Sequence, residues 1–189
     1  MQNRPSYAAF VGARRIAQGD LVDILPVLQK RFEKEPSEMI LVFDDVTGKR
    51  VDLDLQGPLD EVLARHASLG PRGPGRPKLG VVGREVSLLP KHWEWLEEQP
   101  SGASAALRRL VETAMKSEPG KERARRIRAA LSAFLSALAG DRPHYEEVTR
   151  ALYAGDHDTL LELVARWPKD IRDHVTAWAE AAQAAERTG

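Results

Sequence analysis

The side chains able to do chemistry fall into three groups: paired carboxylates, scattered histidines and clustered cations. Asp52 and Asp54 alternate with Val51, Leu53 and Leu55, so both project from one face of a strand. Two carboxylates so placed suit a cation or acid–base work, and equally suit a solvated sheet edge where charge discourages aggregation. Asp44-Asp45 is a second pair. The five histidines, His66, His92, His144, His157 and His174, are dispersed. Asp156-His157-Asp158 is the densest candidate metal cluster, but an Asp after Gly155 also caps a following helix. No second histidine stands at helical spacing from it, so no metal site and no cofactor are expected. Cysteine is absent, which removes disulfides, thiol catalysis and zinc–cysteine sites together. There is no Gly-x-Ser-x-Gly elbow, no phosphate-binding loop and no Gly-x-Gly-x-x-Gly fingerprint. No catalytic residue is named, and a non-enzymatic protein is expected.

The cations are more informative. The chain balances 28 Lys+Arg against 28 Asp+Glu, but that zero conceals asymmetry. Residues 1–63 carry 8 basic and 11 acidic side chains, 64–130 carry 14 and 7, and 131–189 carry 6 and 10. The middle third is thus at +7, and 20 of the 28 cations are arginine, the better ligand for phosphates and base edges. Genome composition is the plain alternative source of that bias.

Four segments must position these groups. Residues 1–63 read as a small α/β domain in the order strand, strand, helix, strand, strand. The short strands 7–11 and 15–17 flank Gly12-Ala13. Asp20 caps a helix with Leu21, Ile24, Leu25, Leu28 and Phe32 on one face and Pro26 in its early turns. The apolar run 39–43 reads as a buried strand, Thr47-Gly48-Lys49 as a turn, and 51–55 as a half-buried edge strand. Residues 64–83 form a Gly/Pro-rich basic linker or arm, too dense in both residues for regular structure. Residues 84–118 read as strand, proline, short helix, Gly-containing turn and a second helix capped by Ser104. Trp93 and Trp95 of this unit need burial, against the helices that follow or in a dimer. Residues 119–189 read as a C-terminal helical bundle. Its first helix opens with Lys121-Glu122-Arg123-Ala124-Arg125-Arg126-Ile127-Arg128, read either as an ordinary solvated face or as a phosphate-contacting stripe. The fold class expected is α+β. No stretch approaches the roughly 20 apolar residues that span a bilayer. Nor does the N-terminus carry the apolar run of a leader, so a cytoplasmic protein without membrane contact is expected.

Two local resemblances single out the middle of the chain. Gly75-Arg76-Pro77-Lys78, with Arg72 upstream, resembles half of an AT-hook, whose extended core lies in a narrow minor groove; Pro74 replaces its first arginine. Residues 84–115 resemble a ribbon-helix-helix unit, in which two chains pair their strands into a ribbon that enters the DNA major groove. That resemblance implies that Arg84, Ser87 and Lys91 sit on or near the ribbon. It also implies that Ser104, in Gly102-Ala103-Ser104, aims helix amides at a phosphate, an arrangement the helix dipole favours. Arg108 and Arg109 lie opposite Leu107 and Val111 and would extend the phosphate footprint. Adjacent Leu88-Leu89 breaks the family's alternation, and a one-residue shift would exchange every side-chain assignment.

Over most of its length the sequence is similar to a family of uncharacterised bacterial proteins, domain-of-unknown-function family 2239. The similarity is carried by the stretches 41–54, Gly75-Arg76-Pro77-Lys78-Leu79-Gly80-Val81-Val82, 84–96 and Gly102-Ala103-Ser104. Membership implies a bacterial cytoplasmic protein and no assigned activity. The expectation is therefore a DNA-binding homodimer, a transcriptional regulator that reads double-stranded DNA. Arg72, Arg76, Lys78, Arg84, Ser87, Lys91, Ser104, Arg108 and Arg109 would be its contacts. The alternative is a non-enzymatic adaptor whose basic middle meets an acidic partner or the chain's own acidic flanks.

Overall fold

A computed structural model describes residues 6–67 and 82–188. The class is α+β, with one small antiparallel sheet and helices on both of its faces. Strands β1 (Tyr7–Val11), β2 (Arg14–Gly19), β3 (Ile40–Asp44) and β4 (Arg50–Val51) lie in the order β2-β1-β3-β4. The helices are α1 (Leu21–Lys34), α2 (Leu59–His66), α3 (Pro90–Glu97), α4 (Gly102–Ser117), α5 (Pro119–Leu138), α6 (Tyr145–Ala154), α7 (His157–Val164) and α8 (Lys169–Arg187).

β1 explains the layering. In an antiparallel sheet successive side chains point to opposite faces, and in β1 both faces are covered. Tyr7 and Ala9, with Val42 of β3, face α1 and α2 and pack with Leu21, Ile24, Leu25, Leu28 and Val62. Ala8 and Phe10, with Phe43, face the other way and pack with Leu131, Phe134, Leu135, Ile171 and Val175. The first and last segments of the chain therefore share one core through the sheet. The Phe10, Phe43 and Phe134 rings meet at 5.0–6.1 Å in tilted and edge-on contacts, the favoured aromatic geometry. Gly48, in the β3–β4 turn at φ +66°, lies directly against the α5 backbone, and a Cβ there would overlap the Ala130 carbonyl.

Several elements differ from their sequence reading. β4 is only two residues long, because after Val51 the chain leaves the ladder. Asp52 instead pairs with Arg50 at 2.9 Å, and Asp54 pairs with Arg65 at 3.1 Å while its side chain accepts the Gln56 amide. Helix α2 occupies residues expected to begin the linker; its Val62 and His66 are buried. Residues 84–89, read as a strand, lie in no sheet and carry no regular hydrogen-bonded structure in the single chain. Ser104 is not a cap: Ser101 holds the N-cap position of α4, without a side-chain cap bond, and Ser104 lies in the first turn. Pro119 opens α5 at its first position rather than merely ending α4. Asp156 does cap α7, accepting the Thr159 amide. Among the described residues no helix is long and apolar enough to cross a membrane.

Candidate functional site

The middle unit is built on two helices and a short turn. Leu89 is extended (φ −66°, ψ 150°), and Pro90 begins α3, where its missing N–H costs nothing. Gly102 takes a positive φ of 71° at the turn, and its amide closes onto the Gln99 carbonyl. α3 and α4 pack on one another, and of the two helices only Leu96 and Ala106 become buried. The apolar positions Leu107, Leu110, Val111 and Ala114 recur at i, i+3, i+4 and i+7, the stripe of a core-facing helix. Among the described residues that stripe is covered only at its start: Leu107 is half-buried, whereas Leu110, Val111 and the adjoining Met115 are 47–58% exposed. Trp93 and Trp95 are 37% and 48% exposed, and Val82, Val86 and Leu89 more so. The tryptophans, expected to be buried, are therefore not covered by the C-terminal helices.

Arg84, Ser87, Lys91, Ser104, Arg108 and Arg109 are all solvent-exposed on this unit. None of its cations has an ion-pair partner among the described residues; Arg108 donates only to the Ser104 carbonyl one turn back, at 3.2 Å. Residues 84–117 also hold five carboxylates, Glu85, Glu94, Glu97, Glu98 and Glu112, against five cations. The positive balance of the middle third thus comes from its flanks. Arg72, Arg76 and Lys78 lie outside the described residues.

On the far flank most cations of the basic run at the start of α5 are ion-paired within the chain. Glu122 accepts from Arg125 and Arg126 at 2.8–2.9 Å, and these two bonds hold its carboxyl down at about 2. Lys121 pairs with Glu118 and Arg128 with Glu186, at 2.7 and 2.8 Å. Four of the five cations in 121–128 thus share three carboxylates, and the face keeps a positive balance.

The second carboxylate pair, Asp44-Asp45, divides between two sets of contacts. The Asp44 carboxylate accepts the amides of Val46 and Thr47 and shapes the β3–β4 turn. Asp45 Oδ2 accepts from Ser6 Oγ at 2.8 Å and Gln18 Nε2 at 3.2 Å. Its Oδ1 lies 3.9 Å from His174 Nε2, too far for a hydrogen bond, and neither atom has a partner in the protein. His174 is 1% exposed, with Phe10, Phe134 and Trp178 around its ring at 4.5–5.6 Å. Burial pushes its pKa down, against the pull of Asp45 and with help from the Arg15 charge, so the ring stays neutral. It is a core histidine closed to any substrate. Asp156, His157 and Asp158 do not assemble a site, and no group of three metal-binding side chains occurs among the described residues.

No curated protein and no solved structure matches the chain. A family model described as an uncharacterized protein conserved in bacteria does match, over residues 6–179. That span takes in the sheet, the helix pair and nearly all of the C-terminal helices, and the chain belongs to this bacterial family, DUF2239.

Proposed function

We propose that this is a DNA-binding protein acting as a homodimer through residues 84–117. The observation that carries the reading is the uncovered apolar surface of α3 and α4, preceded by chain without a sheet partner. A helix pair that buries only Leu96 and Ala106 cannot supply much hydrophobic stabilisation by itself. A second copy supplies both missing elements, a strand partner for 84–89 and a cover for Leu110, Val111 and Met115. Dimerisation would bring two sets of Arg84, Lys91, Arg108 and Arg109 onto one particle, with Ser104 and its neighbours offering helix amides to a phosphate. The basic arm holding Arg72, Arg76 and Lys78 precedes the unit directly and adds charge without a single carboxylate. A regulator of transcription is the function class this fits.

The decisive measurement is fluorescence anisotropy of duplex DNA with the full chain at about 50 and 200 mM salt. Binding should fall steeply between the two, and Arg84→Ala with Lys91→Ala should weaken it without changing the oligomeric state. No binding at the lower salt would end the reading. The charge balance within 84–117 favours a second one, an adaptor whose apolar face meets another protein. It predicts association that is insensitive to salt and to DNA.

A further inference from the structure

A second basic feature lies where the segment charge is negative. A groove of about 520 Å³ runs between the edge strand β2 and the C-terminal half of α1, within the size range of small-ligand sites. Its apolar floor is Val11, Ile16 and Val27, and its walls carry Arg14, Lys30, Arg31 and Lys34; Arg15 also borders it, but its charge acts on His174 across the sheet. Four of the eight cations of residues 1–63 are therefore gathered on one concavity. The only carboxylate lining it, Glu38, is committed to Arg31 through two hydrogen bonds, one of 2.7 Å. Arg14, Lys30 and Lys34 have no ion-pair partner among the described residues.

Two structural devices bring these residues together. On α1, Val27, Lys30, Arg31 and Lys34 stand at i, i+3, i+4 and i+7, the face turned away from Leu21, Ile24, Leu25 and Leu28. On β2, the pairing with β1 shifts between Ala9 and Phe10, so that Ile16 has no partner in the ladder. Arg14, opposite Val11, and Ile16 stand on the α1 side of the sheet, while Arg15, opposite Phe10, is turned to the α8 side, where its amide donates to Asp170. Arg31 and Lys34 suit the negative end of α1, which accounts for those two. It does not account for Lys30 facing Lys34 one turn away, or for Arg14 on the opposing strand.

We propose that this groove binds a small phosphorylated ligand of nucleotide type, its phosphates held by Arg14, Lys30 and Lys34 and its ring laid on Val11, Ile16 and Val27. Unpaired cations around an apolar floor match a ligand that is anionic at one end and flat and apolar at the other. The site is independent of the helix pair at 84–117, so failure of DNA binding would leave the following test untouched.

The test is calorimetric titration of the full chain with ADP, pyrophosphate and adenosine separately, at about 50 mM salt. ADP should bind, pyrophosphate should bind about tenfold or more weakly, and adenosine should give no measurable heat. Lys30→Glu with Lys34→Glu should reduce ADP affinity at least about tenfold with only a small fall in melting temperature, since both side chains are exposed and only the Lys34 interaction with the helix end is lost. Arg14→Gln should lower it in the same direction from the opposite wall. Absence of ADP binding, or equal affinity in the charge-reversed chain, would overturn the site. Pyrophosphate binding as tightly as ADP would overturn the role of the floor. Duplex DNA engaging these cations while ADP does not would make the groove a backbone contact and end the proposal.

Discussion

Phe134 and Trp93 are both large aromatic residues on amphipathic helices, yet one is fully buried and the other is more than a third exposed. Phe134 sits on α5 against Phe10 and Phe43, so a helix near the end of the chain closes over strands at its beginning. Trp93 sits on α3, whose only packed neighbour of any extent among the described residues is α4. Both helix faces carry the same kind of periodic apolar stripe. What separates them is the presence of a second layer. The sheet supplies one to α5 and α8, and nothing within the described chain supplies one to α3 and α4. The first region accordingly has the features of a stability core, and the second those of an interface awaiting a partner.

Truncating the closed region should give the largest effects. Phe134→Ala removes a ring that contacts Phe10, Phe43, His174 and Trp178, and should cost about 3–5 kcal/mol, measured by urea denaturation. Gly48→Ala should cost at least about 2 kcal/mol, because it adds positive-φ strain to a collision with the α5 backbone. A wild-type denaturation midpoint for either would mean that the β3–β4 turn and α5 do not share the core described above.

Acid provides a smaller perturbation of the same region. His174 has a folded pKa below its ordinary 6.5, so the unfolded chain takes up the proton first. Its contribution is intact above pH 6.5 and is lost as pH falls below that value towards the folded pKa. His174→Leu should flatten this part of the stability–pH curve, read from melting temperatures between about pH 5 and 7. A slope unchanged by the substitution would assign the acid sensitivity to other groups.

Much of this contrast was legible in the residues alone. The short strand 7–11 ahead of Gly12-Ala13, the Leu21/Ile24/Leu25/Leu28 stripe, Pro90 at the start of α3 and the Asp156 cap are local signals, and each of these elements forms where its signal stands. What was not legible depends on distant partners. Residues 84–89 have strand composition but no neighbour in one chain to pair with. Helix α2 begins after Gly57-Pro58 and runs into the Gly/Pro-rich stretch, so its short Leu59/Val62/Leu63/His66 pattern was masked by its surroundings. The groove cations come from residues 14 and 30–34, and the segment total of −3 hides them because all but one of its carboxylates, Glu38, lie elsewhere. His174 could not be matched to Asp45 from sequence, since 129 positions separate them and only the stacking of α8 on the sheet brings them close.

The smallest expected effect on stability is also the sharpest test of the open region. Leu110 and Val111 lie on the uncovered stripe of α4, and replacing both with Ser removes apolar surface that the single chain leaves in water. Each change should alter monomer stability by no more than about 0.5 kcal/mol, because exposed sites lose neither a cavity nor a buried partner. If a second copy covers that stripe, the same pair of substitutions should shift the sedimentation or light-scattering mass from dimer to monomer and weaken DNA binding with it. The opposite pattern is just as informative. A large loss of monomer stability with no change in mass would mean that α4 already packs within its own chain. Residues 84–117 would then belong with the closed region, and the distinction between Phe134 and Trp93 would be one of degree.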